Sequence, residues 1–449
     1  MIRKILIANR GEIAVRVIRA CRDMGIISVA VCSEADRQSL HALIADECVC
    51  IGPAYSRDSY LNMDAILTAA QLSHADAIHP GYGFLSENAK FARLCEENGI
   101  IFIGPSARAI ELVGDKAQAR ATVSAVGVPI VPGSDGLVTS LEDAKVISEK
   151  IGYPVMIKAA NGGGGKGIRM VENADDLARA FDAAKSEAAA NFGDDGVYIE
   201  KYIKNPHHIE FQILADQQGN TIHLMERDCS MQRRHQKVLE ETPSAFLTPD
   251  LRERMGAASV AAAKAAGYHG AGTIEYLVDE DRNFYFMEMN ARIQVEHPVT
   301  ECLTGVDLVR AQIEIAAGEP LKLTQEDIVP RGHVIECRIN AENPAKNFAP
   351  CPGVITGFNI PGGLGVRVDT AVYQGYTVPP FYDSMIAKVI VSGSDRAEAI
   401  MRMKRALAEF IIAGIGSNLD FQLALLNRPE FIEGMYTNAF LDTHKILPE

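Results

Sequence analysis

The chain has 449 residues, and its 47% hydrophobic and 23% charged content is that of a globular protein. A formal net charge of −14 argues against a nucleic-acid partner, because the phosphates would be repelled, and no apolar run approaches the ~20 residues that cross a membrane. The nine cysteines are scattered and never spaced Cys-x-x-Cys, which favours reduced thiols in a cytoplasmic protein. Met1 leads directly into a predicted strand, so we expect no secretory signal. The length suggests about three domains.

Residues 2–103 are predicted to alternate between strands and helices. Predicted strands cover 4–8, 27–31, 48–51, 76–79 and 100–103. Predicted helices cover 11–24, 39–45, 60–73 and 86–98. This alternation indicates a doubly wound parallel sheet, in which binding sites form beyond the carboxyl ends of the strands. The loops 9–11 and 79–88 are therefore candidate site segments.

The rest of the chain is predicted to hold a connector, a lid and a larger mixed region. Residues 104–130 have a helical pattern, and Pro and Gly residues then open a segment at about 131–203 that we interpret as a lid. From about residue 204 apolar residues alternate with polar ones, as in 208–213 and 273–278, which is typical of antiparallel strands. We therefore expect an α/β amino-terminal part followed by an α+β part.

A glycine-rich loop is predicted between two short strands within 153–171. Glycines 162–165 would let backbone amides approach phosphate oxygens closely. The loop is not a P-loop, because Gly167 follows Lys166 where Ser or Thr is needed and a strand follows instead of a helix. The pattern favours a mobile hairpin lid over a nucleotide, and a flexible hairpin tip is the plainer alternative.

The segment 288–296 is predicted to be an extended strand with reactive side chains on one face. Alternate residues of a strand share a face, so two carboxylates, two carboxamides and a guanidinium would lie side by side: Glu288, Asn290, Arg292, Gln294 and Glu296. Their oxygens suit Mg²⁺, the guanidinium suits an oxyanion, and Glu296 is a candidate base. Glu275, on the neighbouring predicted strand, would add an oxygen ligand. A solvated strand face is the alternative that this residue choice disfavours.

Taken together, these motifs resemble the ATP-grasp ligases, and within them the biotin carboxylase component of biotin-dependent carboxylases. The match is carried, in the family's order, by 7–14, 79–88, 114–116, 161–167, 226–237 and 288–301. Asn161 stands where some relatives have a further glycine. The resemblance implies an α/β and α+β ATP-grasp architecture with a doubly wound parallel-sheet domain at 1–113. An ATP-grasp domain would follow at 114–330, with its mobile lid at about 131–203, and then a carboxyl-terminal α+β domain at 331–449.

The resemblance also implies roles for individual residues. Those expected at the nucleotide are Lys116, Lys158, Gly163, Gly164, Gly165, Glu200, Lys201, Ile203, His208, Gln232, His235 and Leu277. Bicarbonate would be held by Lys237, Arg292, Gln294 and Val295, and biotin by Tyr82, Gly83 and Arg338. Metal ions would bind Glu275, Glu288 and Asn290. The expected catalytic residues are Lys237, Arg292, Glu296 and Arg338.

The reaction and its partners follow from the same resemblance. ATP would phosphorylate bicarbonate with the help of two Mg²⁺ or Mn²⁺ ions, and the carboxyphosphate formed would supply CO₂ to biotin. The chain contains no Ala-Met-Lys-Met segment, so biotin is expected on a separate biotin carboxyl carrier protein. We further expect carboxyltransferase subunits, a homodimer, and a place in cytoplasmic acetyl-CoA carboxylase, which serves fatty acid synthesis.

Other functions stay open on the sequence alone. The same half-reaction serves pyruvate carboxylase and other acyl-CoA carboxylases, and a different ATP-grasp carboxylate ligase would share the metal and lid residues. A nicotinamide-dependent oxidoreductase is a rival of another class, but Gly-x-Gly-x-x-Gly is missing after the first strand. A non-catalytic nucleotide sensor is a further alternative, which the full set of ligands and base disfavours. Biotin-stimulated release of ADP would separate these functions.

Overall fold

The amino-terminal part of the chain forms a five-stranded sheet in the computed structural model, which describes residues 2–159, 168–192 and 196–447. Its strands are β1 (Lys4–Ile7), β2 (Ile27–Cys32), β3 (Glu47–Cys50), β4 (Ala77–His79) and β5 (Ile101–Phe102). Its helices are α1 (Gly11–Asp23), α2 (Leu40–Ile44), α3 (Met63–Leu72) and α4 (Ala89–Glu97). The strand order is β3-β2-β1-β4-β5 and every pair is parallel, which confirms the predicted doubly wound sheet.

Asparagine caps place two of these helix starts later than predicted. The Asn62 side chain accepts the Ala65 amide, so α3 begins at residue 63 and not at 60. The Asn88 side chain accepts the Phe91 amide at 2.9 Å, so α4 begins at residue 89 and not at 86. A short carboxamide satisfies a free amide of the first turn, which fixes the helix boundary at that residue.

Two helices connect this sheet to the lid. They are α5 (Ala107–Gly114) and α6 (Lys116–Ala125), and Asp115 between them caps α6 by accepting the Ala117 and Gln118 amides at 3.0 Å. The lid contains α7 (Leu141–Ile151), β6 (Val155–Ala159), β7 (Ile168–Val171), α8 (Ala174–Phe192) and β8 (Val197–Lys201), with the antiparallel strand order β7-β6-β8. Strands flank the glycine-rich loop as predicted, whereas Gly163, Gly164 and Gly165 lie outside the described residues.

The rest of the chain is built around one large antiparallel sheet. The strands are β9 (His207–Ala215), β10 (Thr221–Arg233), β11 (Gln236–Thr242), β12 (Gly270–Val278), β13 (Phe284–Asn290), β14 (His333–Asn340), β15 (Glu342–Asn343), β16 (Ala349–Pro350), β17 (Gly353–Val354), β18 (Gly357–Asn359), β19 (Val366–Thr370), β20 (Thr377–Val378), β21 (Met385–Gly393) and β22 (Ile411–Ala413). The helices are α9 (Pro249–Ala265), α10 (His297–Thr304), α11 (Leu308–Ala316), α12 (Arg396–Glu409), α13 (Leu419–Leu426), α14 (Pro429–Ile432) and α15 (Phe440–Thr443). Eight strands form the large sheet, in the order β13-β12-β9-β10-β11-β14-β21-β19.

The large sheet continues across the domain boundary predicted at 330/331, because β11 pairs with β14. The other late strands form two-stranded pairs, β15-β16, β17-β20 and β18-β22. The domain limits at 113/114 and 330/331 stay predictions. Among the described residues, none of the helices is both long enough and apolar enough to span a membrane.

The extended strand predicted at 288–296 is wrong beyond Asn290, where β13 ends. The next amide, that of Ala291, donates to Glu87 Oε1 at 2.9 Å and no longer to the neighbouring strand. Pro298 then stands in the first turn of α10, a position that suits its fixed backbone and missing amide. Arg292 and Glu296 therefore lie in a turn between strand and helix, not on one strand face.

A fully buried arginine ties the centre of the large sheet to α10. Arg227, on β10, donates from Nε to Glu210 Oε1 at 2.6 Å and from Nη1 to Gln212 Oε1 at 2.7 Å. Its other donors reach Thr300 Oγ1 on α10 at 2.9 Å and Thr273 Oγ1 on β12 at 3.1 Å. A buried charge is tolerated only when it is paired and hydrogen-bonded, so this side chain fixes the relative positions of β9, β10, β12 and α10.

Replacing Arg227 with Met should lower the free energy of unfolding by about 3–5 kcal/mol, because Glu210 would stay buried with one of its two cationic partners, Arg227, removed. Arg254→Met is the matched control, since Arg254 is an exposed residue paired with Asp250 at 3.5 Å and should change stability by less than about 1 kcal/mol. Urea unfolding of both variants measures the difference. Equal midpoints for the two variants would show that the buried network does not stabilise the sheet.

Candidate functional site

A cavity of about 260 Å³ lies between the lid sheet and the large sheet. Its walls include many of the residues predicted at the nucleotide, namely Lys158, Glu200, Lys201, Ile203, Gln232, His235 and Leu277. They come from β6 and β8 of the lid and from β10 and β12 of the large sheet, with Ile203 in the segment after β8 and His235 in the turn after β10. The fold therefore brings together side chains that are far apart in sequence.

Glu200, in the wall of this cavity, holds one cationic side chain of the lid and one of the connecting helix α6. Both Lys158 and Arg120 form ion pairs with the Glu200 carboxylate. Burial alone would raise the pKa of Glu200, but the two cations outweigh burial and lower it. Lys201 is different, because its Nζ donates to the carbonyl oxygens of Gly152 and Tyr153 at 2.9 Å each. The Lys201 ammonium thus has partners within the lid.

Lys116 and His208 lie beside acidic residues and do not line the cavity wall. His208 Nε2 is 2.7 Å from Glu275 Oε2 on the adjacent strand β12. Lys116 is the first residue of α6, and its positive charge opposes the rise in the pKa of the Glu288 carboxyl. Both residues are therefore placed near the predicted metal ligands.

The predicted metal ligands face one another across two strands. Glu275 on β12 and Glu288 on β13 are register partners, and Asn290 Nδ2 donates to Glu275 Oε1 at 2.8 Å. Burial and then the charge of Glu275 raise the pKa of Glu288. Two adjacent carboxylates in partly desolvated positions repel each other, and a hard divalent cation between their oxygens would relieve that repulsion. The donor set therefore fits Mg²⁺.

Lys237 and Glu296 form the centre of the site. Lys237 Nζ lies 2.6 Å from Glu296 Oε1, 2.6 Å from Glu210 Oε2 and 3.3 Å from Glu275 Oε1. Burial by itself would lower the pKa of Lys237, but these carboxylates outweigh burial and raise it well above its ordinary value. Burial would raise the pKa of Glu296, whereas Lys237 and Arg338 hold it well below its ordinary value. The pair therefore presents a fixed cation beside a carboxylate in its proton-accepting form.

Arg292 and Gln294 lie in the turn that follows β13. Arg292 donates to Gln294 Oε1 at 2.5 Å, to Asn290 Oδ1 at 2.9 Å and to Glu87 Oε2 at 2.9 Å. Gln294 in turn donates to Glu275 Oε1 at 2.8 Å. The turn thus keeps the Arg292 guanidinium beside the carboxylates. The predicted strand would also have placed these groups together, but on one strand face.

Arg338 lies on β14, beside Glu296. Its Nη2 is 2.9 Å from Glu296 Oε2, and its Nε donates to Glu240 Oε1 at 2.6 Å. Burial raises the pKa of Glu240 to about 7, although Arg338 opposes that rise. One guanidinium therefore contacts the candidate base and a second buried acid, and a single side chain links β14 to β11 and to the turn before α10.

The predicted biotin residues of the amino-terminal part lie in the loop after β4. The Tyr82 hydroxyl donates to Glu12, and Gly83 adopts a φ of +70°. Glu12 also pairs with the buried Lys388 at 3.0 Å, and Lys388 Nζ donates to the Val295 carbonyl at 2.7 Å. This chain of contacts connects the loop to the turn that carries the candidate base.

Three residues at the site were missed by the sequence analysis, namely Glu210, Glu240 and Lys388. Glu210 places a donor atom within 4.8 Å of those of His208 and Glu275, and Glu240 and Lys388 support Arg338 and Val295 as described above. A signal for Glu210 was present, because His208, Glu210 and Gln212 share one strand face and are all buried. Polar residues on a buried strand face indicate a functional interior.

A lid sheet and an antiparallel sheet that enclose a cavity, with facing carboxylates and a lysine–glutamate pair beside it, define an ATP-grasp ligase. Comparison with known families agrees. Residues 1–110 match "Biotin carboxylase, N-terminal domain", residues 115–324 match "Carbamoyl-phosphate synthase L chain, ATP binding domain", and residues 336–443 match "Biotin carboxylase C-terminal domain".

Whole-chain comparisons show the family. The chain is 58% identical over 448 residues to biotin carboxylase 1 of Bacillus subtilis, covering 100% of both chains. It is 55% identical over 445 residues to one of the pyruvate carboxylase subunits of Methanothermobacter thermautotrophicus, covering 99% of this chain and 90% of that one. Its structure is similar to a biotin carboxylase–βγ-ATP complex from Campylobacter jejuni, with a TM-score of 0.93, 50% identity and 99% coverage of each chain.

A second structural relative adds a ligand-bound dimer. The biotin carboxylase domain dimer of Hydrogenobacter thermophilus 2-oxoglutarate carboxylase, in complex with MgADP, ADP and bicarbonate, matches with a TM-score of 0.91 and 51% identity. The match covers 99% of this chain and 98% of that one. The chain belongs to the biotin carboxylase family.

Proposed function

We propose that this protein carboxylates biotin on a separate biotin carboxyl carrier protein, using ATP and bicarbonate. The observation that carries the proposal is the contact of one carboxylate, Glu296, with both Lys237 and Arg338. Lys237 is the strand partner of Gln232, which lines the nucleotide cavity. A cation and a base side by side suit an anion that must be held and deprotonated. Complexes of the relatives with βγ-ATP and with MgADP and bicarbonate support the same substrates.

Glu296 and its neighbours would activate bicarbonate for attack on ATP. Lys237, Arg292, Gln294 and the main chain at Val295 would hold the anion, while Glu296 takes its proton and its oxygen attacks the γ-phosphorus. Lys116 and Lys158 would neutralise the charge of the phosphates. The residues of the cavity wall, His208 and glycines 163–165 would surround the nucleotide. The products of this step are ADP and carboxyphosphate.

Arg338 would act in the second stage of the reaction. Carboxyphosphate breaks down into CO₂ and phosphate. The phosphate released takes the proton of biotin N1, and N1 attacks CO₂. The Arg338 guanidinium would stabilise the enolate-like oxygen of biotin, with Tyr82 and Gly83 placing the ring. Closure of the lid would keep water from the labile intermediate.

Glu275, Glu288 and Asn290 would hold Mg²⁺ or Mn²⁺, with two ions expected. Their facing oxygens and the raised pKa of Glu288 support this assignment. When bound, the metal supplies positive charge that offsets the charge of the nucleotide phosphates.

Glu288→Gln should raise the Mg²⁺ concentration needed for half-maximal ATP cleavage, because one charged ligand is lost, while the affinity for free biotin should stay unchanged. Glu280→Gln is the control, since Glu280 lies in the turn between β12 and β13 outside the site. Magnesium titrations of both variants measure the effect. Superimposable titrations for Glu288→Gln and the wild type would show that Glu288 is a structural carboxylate and not a metal ligand.

Glu296 and Arg338 are predicted to fail at different stages. Removing a general base typically costs ~10²–10⁴-fold, so Glu296→Gln should lose bicarbonate-dependent ATP cleavage and biotin carboxylation together while still binding MgATP. Arg338→Gln should keep much of the ATP cleavage and lose carboxylation of biotin. Arg338→Lys keeps a positive charge near Glu296 without the planar fork, so it should behave as Arg338→Gln does at the second stage.

ADP release and carboxybiotin formation, measured in the same buffer, decide between these outcomes. Equal loss of both activities in Arg338→Gln and Arg338→Lys, or full activity in Glu296→Gln, would contradict the assignment of Glu296 to the first stage and Arg338 to the second.

We also propose that the chain is a homodimeric component of cytoplasmic acetyl-CoA carboxylase and acts in fatty acid synthesis, with carboxyltransferase subunits as partners. The dimer of the Hydrogenobacter relative supports the homodimer. The nine free cysteines support a reducing compartment. The similar identities to a biotin carboxylase and to a component of pyruvate carboxylase keep pyruvate as the alternative acceptor. Purification of the chain with its partners tests the choice between acetyl-CoA and pyruvate as acceptor, because the carrier and transferase that co-purify identify the assembly.

A further inference from the structure

Three cysteines lie together at the outer edge of the parallel sheet, and none of them contributes to the site described above. Cys32 ends β2, while Cys48 and Cys50 lie on β3, the edge strand. In the parallel pairing Cys50 is the partner of Cys32, and Cys48 is the partner of Ala30. Residues two apart on a strand share a face, so the three thiols lie on the same side of the sheet.

The thiols of Cys32 and Cys48 are in contact. Their Sγ atoms are 3.5 Å apart, and the two side chains differ sharply in exposure, since Cys32 is 3% exposed and Cys48 is exposed. The contact with Cys48, and then burial, raises the pKa of Cys32, whereas the contact with Cys32 lowers the pKa of Cys48. An accessible thiol with a higher thiolate fraction and a second thiol in contact is the arrangement of a redox-sensitive cysteine and its resolving partner.

We propose that Cys48 is a site of oxidation by hydroperoxides and that Cys32 is its resolving thiol. In the first step the Cys48 thiolate attacks hydrogen peroxide, which leaves Cys48 as a sulfenic acid and releases hydroxide. In the second step the Cys32 sulfur attacks the sulfenic sulfur and forms a disulfide, with water as the leaving group. The two thiols together lose two electrons and two protons, and the peroxide is reduced to two molecules of water.

The position of Cys48 on an edge strand favours the second step. A disulfide needs a sulfur–sulfur distance of about 2.05 Å, so the two Sγ atoms must approach by about 1.5 Å from their present contact. β3 pairs only with β2 in this sheet, and its residues are mostly exposed, so little packing resists such a shift. Cys50 is the competitor, because directly paired strands are about 4.7–4.9 Å apart, within the Cα range of disulfides.

Tryptic peptides of the oxidised protein test the proposal. Trypsin cleaves after Arg22, Arg37 and Arg57, so Cys32 falls in peptide 23–37, and Cys48 and Cys50 fall in peptide 38–57. The full chain is reduced, freed of reductant and treated with stoichiometric hydrogen peroxide without denaturant. Mass spectrometry of a non-reducing digest should then show peptides 23–37 and 38–57 joined, and a thiol reductant should separate them.

Two matched serine variants identify the oxidised thiol, and both replace exposed residues of the edge strand. The cross-link should persist in Cys50→Ser and be lost in Cys48→Ser. In Cys32→Ser a dimedone adduct should accumulate on Cys48, because its sulfenic acid has lost its resolving partner. A wild-type protein that forms no cross-link, a cross-link that survives Cys48→Ser, or a disulfide confined within peptide 38–57 would overturn the proposal.

Discussion

The burial of Glu296 between Lys237 and Arg338 is the interaction on which the rest of the site depends. A carboxylate this far from water is costly unless cations and hydrogen bonds surround it, and each of the two cations is itself largely buried. Lys237 comes from β11, Arg338 from β14 and Glu296 from the turn before α10. The three charges stabilise one another only if these elements keep their relative positions. The same arrangement of β11, β14 and the turn before α10 is therefore needed for both the stability of the fold and the proposed chemistry.

The same charges extend into two neighbouring regions. Through Glu210, Lys237 is joined to the buried Arg227, and through Glu275 it is joined to His208 and to the predicted metal ligands. On the other side, Lys388 contacts both the Val295 carbonyl and Glu12 of the amino-terminal part. A continuous sheet from β13 to β19 is the scaffold that holds this network, and it brings residues from distant parts of the sequence to the place where the proposed function needs them.

The sequence analysis predicted the architecture well, because hydrophobic alternation in short segments reports directly on strands and helices. The chemistry predicted for 288–296 stays a prediction, whereas the predicted backbone was wrong beyond Asn290. Periodicity shows which side chains share a face, and it does not show that the Ala291 amide donates to Glu87 where the strand ends. The sequence analysis missed Glu240 and Lys388, because their importance arises from cross-strand neighbours that only the folded register defines. The roles of Tyr82 and Gly83 came from family resemblance and not from a pattern in the residues.

The central claim is that the Glu296 cluster activates bicarbonate for phosphorylation by ATP. Transfer of oxygen from labelled bicarbonate tests this claim most directly. The wild-type enzyme is supplied with bicarbonate labelled with oxygen-18, MgATP and biotin in unlabelled water. The reaction is stopped before the bicarbonate exchanges its label with water, and the inorganic phosphate released is analysed by mass spectrometry. The account predicts a single labelled oxygen in each phosphate, because the bridging oxygen of carboxyphosphate stays with phosphorus when CO₂ leaves. Phosphate that carries no label, and so took its oxygen from water, would contradict it.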